Sequence, residues 1–140
     1  MTGTANTLPI EILRSAKYIL LVDWPNPGVP TALLQAGFTV FSYSPGGYSN
    51  TVLINDDEVS GKTRLVFNKI DGKPGHIDIV NVYRPEKELP GITEEHVLPL
   101  GATTVWLHPP VSSDWAAGFA RDHGLNFVEG MDIAELAKDL

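Results

Sequence analysis

The feature that most constrains the fold is the stretch 18–31, YILLVDWPNPGVPT. An apolar run from Tyr18 to Val22, closed by Asp23, meets a turn with three prolines and then a short helical pattern. The run is continuously apolar rather than alternating. A strand of that kind belongs in the middle of a parallel sheet, covered on both faces. A strand that passes directly into a helix is the repeating unit of open α/β sheets. Their ligands lie in the crevice beyond the carboxyl ends of the strands. Here the turn lacks the glycines that bring backbone N–H groups close to a phosphate.

The flanking sequence continues the same alternation. Before the strand, Thr7 is placed to cap a helix with Pro9 in its first turn, Glu11 near its positive end and Ile10, Leu13 and Ala16 as its buried stripe. After it, Asn26 reads as an N-cap with Pro27 at the first helical position, and Pro30 is tolerated within the first turn. The helix runs to Gln35 and Ala36, with Gly37 at C′. FTVFSY (38–43) is a strand and SPGGYSN (44–50) a loop. TVLIN (51–55) and RLVFNKI (64–70) are rich in branched and aromatic residues and read as a β-hairpin-like insert over about 51–75, with a turn at Gly61. HIDIVNVY (76–83) is a further strand. Residues 85–101 read as a helix with Leu89, Ile92, His96 and Val97 on one side. ATTVWL (102–107) is a strand with the exit loop HPPVSS (108–113). Ser113 caps a helix that ends at Gly124, with Trp115 and Phe119 expected on its buried face. LNFVEG (125–130) is a last strand, and Asp132 caps a final helix.

This order predicts one α/β domain over residues 1–140, a Rossmann-like three-layer fold with a mostly parallel sheet and the β insert. The crossover rule gathers the loops 23–26, 44–48, 84–85 and 108–110 on one edge.

Composition narrows the function classes. The net charge of −7, without a basic arm, argues against nucleic acid, where neutralising phosphates supplies much of the affinity. There is no cysteine, hence no disulfide, thiolate ligand or cysteine nucleophile. No stretch approaches the roughly 18 consecutive apolar residues of a membrane span. MTGTANTLP has neither the basic nor the apolar region of a secretory leader, so a cytoplasmic location is expected. Four scattered histidines without paired carboxylates do not make a metal site. No G-x-S-x-G elbow, P-loop or G-x-G-x-x-G is present, and no residue set supports a catalytic reaction.

The segments EILRSAKYILLV (11–22), GFTVFSYSP (37–45), HIDIVNVYRPEKELPGITEE (76–95), GATTVWLHPPV (101–111) and HGLNFVE (123–129) resemble the small stand-alone CoA-binding proteins. Those are similar to the Rossmann-type CoA-binding domain of the succinyl-CoA synthetase α subunit. The resemblance runs over about residues 10–130, apart from the insert. Its most specific pieces are Asp78 to Pro85, a DIV-x-x-[FY]-R-P motif, and Gly101 to Leu107. It implies a CoA or acyl-CoA ligand, with Asp23, Trp24, Pro25, Asn26, Ser44, Pro45, Arg84, Pro85 and His108 at the cofactor-binding positions.

Three contact loops depart from the family pattern. Trp24-Pro25-Asn26 stands where Arg-Pro-Ser is implied, and the preceding glycine turn is deleted. Ser44-Pro45 stands for Asn-Pro, and His108-Pro109-Pro110 for a glutamine and a glycine. Asp23 brings a negative charge to the position implied for phosphates. Two unit charges ~4 Å apart interact by roughly 4 kcal/mol at an effective dielectric of 20. The altered loops leave three outcomes open: weaker CoA binding, binding re-routed through Lys62, Arg64, Lys69 and Lys73 of the insert, or loss of CoA binding.

Each candidate has a structural alternative. Asp23 is a general base, a selector of cationic ligands, or a strand-end acid capping the next helix. Trp24 stacks on a flat ligand or fills the shortened loop. Arg84 presents a fork of donors suited to phosphate, or pairs with Glu86 or Glu88. The leading expectation is a small-molecule binding protein for CoA or a related nucleotide. The alternative is a repurposed domain acting as an interaction or regulatory subunit, a homodimer formed through residues 51–75. A receiver-like phosphoacceptor fits ILLVD superficially but fails at Trp24 and at Tyr83-Arg84. An Asp23–His108 acid/base pair has no motif behind it.

Overall fold

The computed structural model describes residues 8–44, 50–55 and 65–140. In chain order the elements are α1 (Pro9–Ser15), β1 (Tyr18–Val22), α2 (Gly28–Gln35), β2 (Thr39–Tyr43), β3 (Thr51–Asn55), β4 (Leu65–Lys69), β5 (Ile79–Val82), α3 (Leu89–Ile92), β6 (Thr104–Leu107), α4 (Asp114–Asp122), β7 (Asn126–Glu129) and α5 (Ile133–Ala137). A 3₁₀ turn, Glu86–Glu88, leads into α3, and a π turn, Thr93–Val97, follows it.

Among the described residues all strands join one 7-stranded sheet, in the order β4-β3-β2-β1-β5-β6-β7. β2, β1, β5, β6 and β7 run parallel. β3 and β4 add an antiparallel hairpin at one edge, the insert anticipated from the sequence. Helices α1, α2 and α5 cover one face and α3 and α4 the other. The three-layer, mostly parallel α/β fold is therefore the one that the alternation predicts. β1, β5 and β6 are buried on both faces along almost their whole length, which is why their sequences do not alternate. β2 alternates between buried and half-buried residues: Val40 lies within one cluster, and Phe41 and Tyr43 pack against the rim of the other. At that edge the Ser42 and Thr51 hydroxyls are hydrogen-bonded to each other inside the sheet.

Two apolar clusters, one per face, hold the layers. Ile19, Leu21, Ile79 and Trp106 pack under Leu33, Ile133 and Ala134. Trp106 also donates from Nε1 to the Met131 carbonyl at 2.9 Å, tying β6 to the turn before α5. On the other face Leu20, Val80, Val82 and Leu107 pack under Leu89, Val97 and Ala116. Asp78 fastens the start of the sheet. Its Oδ2 accepts the N–H groups of Lys17 and Tyr18, both at 2.9 Å, and its Oδ1 lies 2.8 Å from His76 Nε2.

Several local expectations are corrected. Leu8, not a polar side chain, occupies the N-cap of α1, and Thr7 lies outside the described residues. The buried residues of α1 are Ile12 and Leu13, with Ile10 and Ala16 only half-buried. Pro27 is the N-cap of α2, so the helix begins one residue later than expected. Trp115 is exposed. The buried face of α4 is lined by Ala116 and Ala120, because small residues let the helix approach the sheet closely. Ser113 and Asp132 do cap α4 and α5 through their side chains, and Gly37, at φ 98°, follows α2 in the conformation that favours glycine. The turn at Gly61 lies outside the described residues.

Candidate functional site

From β1 the chain goes to β2 on one side, and the next parallel strand, β5, lies on the other side of β1. The crevice between the carboxyl ends of β1 and β5 is therefore the switch point, where open α/β sheets hold ligands. The register pairs Val22 with both Tyr43 and Val82, so Asp23 leaves the sheet at this crevice.

Asp23 still donates its N–H to the Tyr43 carbonyl at 2.9 Å, then turns the chain with a φ of 63°. This left-handed conformation is uncommon without glycine. Aspartate tolerates it because its short side chain can bond locally. Here Asp23 Oδ1 accepts the Trp24 N–H at 3.1 Å. Two residues on, Asn26 Oδ1 accepts the Gly28 N–H at 2.9 Å. A Cβ at position 28 would stand 2.9 Å from that same oxygen, so a larger residue there would push the Asn26 side chain aside. The junction thus satisfies two of its own N–H groups with side-chain oxygens.

Arg84 stands across the crevice, just after β5. Its Nη1 donates to Asp23 Oδ2 at 3.0 Å, and its Nε and Nη2 donate to the two Glu88 oxygens at 2.9 and 2.7 Å. Glu88, and then Asp23, hold the guanidinium more firmly charged than usual. In return, the hydrogen bond from Arg84 holds the Glu88 carboxyl below its ordinary value. Glu86 lines the same crevice, so Asp23, Glu86 and Glu88 all gather near this guanidinium.

Asp23, Arg84 and Glu86 line a cleft of about 470 Å³, together with Tyr83, Pro85, Pro110, Val111 and Ser112. That volume falls in the range of small-molecule sites, roughly 300–1,000 Å³. Of the residues expected at the site, Asp23, Arg84 and Pro85 meet in the cleft. Trp24 is turned away from it and stacks on Phe67 of β4, with ring centroids 5.9 Å apart and planes at 20°. Pro25 and Asn26 are exposed ahead of α2, and Ser44 is half-buried at the end of β2. Pro45, Lys62 and Arg64 lie outside the described residues. Lys73 of the expected basic patch donates to the Glu95 carbonyl at 2.9 Å.

His108 does not line the cleft. It is buried behind Tyr83, the rings edge to face at 5.7 Å, and its Nε2 is 3.8 Å from Asp132 Oδ2. Burial holds its pKa below the ordinary histidine value, partly offset by Asp132. Its Nδ1 has no hydrogen-bond partner among the described residues. Tyr83, the aromatic wall of the cleft, was not anticipated as a site residue. Its spacing from Ile79 and Asn81 places it on their face of the sheet, a signal the strand pattern already carries. No group of histidines and carboxylates among the described residues could hold a metal ion, and no helix among them is long and apolar enough to cross a membrane.

The chain is similar to known proteins over nearly its whole length. It is 29% identical to the uncharacterized protein YneT of Bacillus subtilis over 129 residues, which covers 88% of this chain and 85% of that one. Its fold matches the crystal structure of the PH1109 protein redesigned for binding, with a TM-score of 0.69, 21% identity, and 94% and 89% of the two chains covered. It also matches the structure of cell-free ID.343 from Thermus thermophilus, with a TM-score of 0.68, 21% identity, and 95% and 98% covered. The model of the CoA binding domain family matches residues 23–132, and the chain belongs to that family.

Proposed function

We propose that the chain is a binding protein for CoA, acyl-CoA or a related nucleotide, held across the strand ends at the β1–β5 crevice, and that it carries out no reaction on its ligand. The observation that supports this reading most is the cleft itself, open at the switch point with Trp24 packed onto the insert rather than across the mouth. Tyr83, Pro85, Pro110 and Val111 offer an apolar wall for a base or a thiol-bearing arm. Arg84 has five N–H donors and uses three among the described residues, so two remain there for a ligand oxygen.

Thermal shift with CoA, acetyl-CoA, ATP and NAD tests the reading. A ligand at ~100 times its Kd adds roughly 2.7 kcal/mol of stability. Arg84→Ala is expected to remove the shift. No shift with any of the four rules the reading out.

One observation favours a second reading, a repurposed domain without CoA. Arg84, the anion-binding candidate, already contacts two carboxylates. That reading expects no nucleotide shift, and a dimer in light scattering that is lost when the insert is removed.

A further inference from the structure

At the end of β1 two donors converge that suit an oxyanion: the Trp24 backbone N–H of the strand-to-helix turn and one Nη1 N–H of Arg84. Carboxylate and phosphate present similar acceptor geometry to such donors. In this chain both donors are taken by one side chain. Asp23 Oδ1 receives the Trp24 N–H and Oδ2 receives Arg84 Nη1. The pairing is built into the turn, since Asp23 holds a φ of 63° and its N–H stays anchored to the Tyr43 carbonyl.

We propose that the Asp23 carboxylate is the cleft's own occupant of the oxyanion position, so that Asp23 sets specificity by excluding ligands that place a phosphate there. An incoming phosphate must displace Asp23 from both donors and then face its charge, with Glu86 and Glu88 adding to the repulsion. A ligand that fits the wild-type cleft lays an uncharged portion against Tyr83, Pro85 and Pro110 and keeps its phosphates away from the β1–α2 turn. This inference rests on the reading of the crevice as a ligand site and adds a rule about which part of the ligand enters it.

The test uses inorganic pyrophosphate as the probe, titrated calorimetrically into the full chain at low ionic strength. Asp23→Asn keeps an acceptor for the Trp24 N–H but removes the charge. It is expected to bind pyrophosphate at least tenfold more tightly than the wild type. Asp23→Gly, which suits the left-handed φ, is expected to do the same and serves if the asparagine variant folds poorly. Glu86→Gln makes the same charge change in the same cleft without touching either donor, and should gain less than threefold. Adding Arg84→Ala to Asp23→Asn should cancel the gain. The proposal is overturned if neither Asp23 variant gains, or if Glu86→Gln gains as much. A pyrophosphate gain in Asp23→Asn without any CoA shift in the wild type keeps this inference and removes the CoA reading. A wild-type CoA shift without the gain does the reverse.

Discussion

The Asp23 carboxylate lies 3.0 Å from Arg84 Nη1, across the line where the connections of the sheet change direction. The two residues are far apart in sequence, and each ends a central strand. Glu88, one helical turn beyond Arg84, completes the set by taking the other side of the fork. The same bridge that closes β1 onto β5 therefore decides how the crevice presents itself to a ligand.

Removing the guanidinium leaves the Asp23 and Glu88 carboxylates without their shared cation. All three side chains are a quarter to a third exposed, at 28%, 27% and 31%. The cost of Arg84→Ala should therefore fall between that of exposed pairs, at most about 1 kcal/mol, and broken buried ones, about 3–5 kcal/mol. We expect a loss of about 1.5 kcal/mol in urea unfolding, shrinking in high salt as the carboxylates are screened. Arg84→Lys should recover less than half, since an ammonium cannot match the two Glu88 oxygens and Asp23 at once.

Trp24 links the shortened junction to the edge hairpin through its stack on Phe67. Fully buried Trp→Ala changes cost about 3–5 kcal/mol. Trp24 is half-buried, so about 2 kcal/mol is expected for Trp24→Ala. The effect should be local. Hydrogen exchange of the β3 and β4 amides should quicken while β5 and β6 stay protected. Trp24→Phe should restore most of the protection. Uniform quickening across the sheet would show that Trp24 supports the whole domain rather than the insert.

How much of this was legible depended on the range of each interaction. The central strands were readable because burial on both faces writes itself into continuous runs such as Tyr18–Val22. The caps Ser113 and Asp132 and the glycine after α2 are local signals and were found. The Arg84–Glu88 pairing follows from spacing along one segment and stood among the alternatives. The Asp23–Arg84 bond is different. It depends on which strand lies beside β1, and the order of strands is not written in either residue. Trp24 turned toward the insert for the same reason: Phe67 becomes its neighbour only after β4 joins the far edge. The buried face of α4 was misplaced because Trp115 looks like core, whereas close helix–sheet packing selects alanine there.

Stability should fall on mild acidification. Burial pushes His96 down from the ordinary histidine value near 6.5, as does nearby Lys73, while Glu95 partly opposes this. His108 is also lowered by burial. A histidine with a depressed folded pKa binds its proton less readily when folded. Its contribution is therefore full above about pH 6.5 and is lost as pH drops through the folded value. Asp78 acts lower in the range. Burial raises its carboxyl, but the bonds from Tyr18, Lys17 and His76 outweigh this and hold it below the usual value. Its contribution is present above about pH 3.9 and is lost as pH falls through its folded value. Urea midpoints should be flat from pH 8 to 7 and decline below about 6.5. His96→Phe, which keeps the ring contact with Tyr43 at 4.5 Å, should flatten part of that decline. A wild-type curve level from pH 7.5 to 5.5 would contradict this account.

Asn81 carries the last prediction. It sits at the centre of β5, opposite Leu21 on one side and Trp106 on the other. It is fully buried, and neither its Nδ2 nor its Oδ1 has a hydrogen-bond partner among the described residues. An unsatisfied buried polar group costs about 1–3 kcal/mol. Asn81→Val removes both groups and puts a β-branched side chain in a central strand, the environment that favours it. We expect a gain of about 1 kcal/mol, read as a higher urea midpoint at unchanged slope. A loss of the same size would mean that the amide is satisfied in solution, for example by a buried water bridging it to its neighbours. In that case Asn81 would belong with Asp78 among the polar groups that tie the strands together, rather than standing as an uncompensated cost in the core.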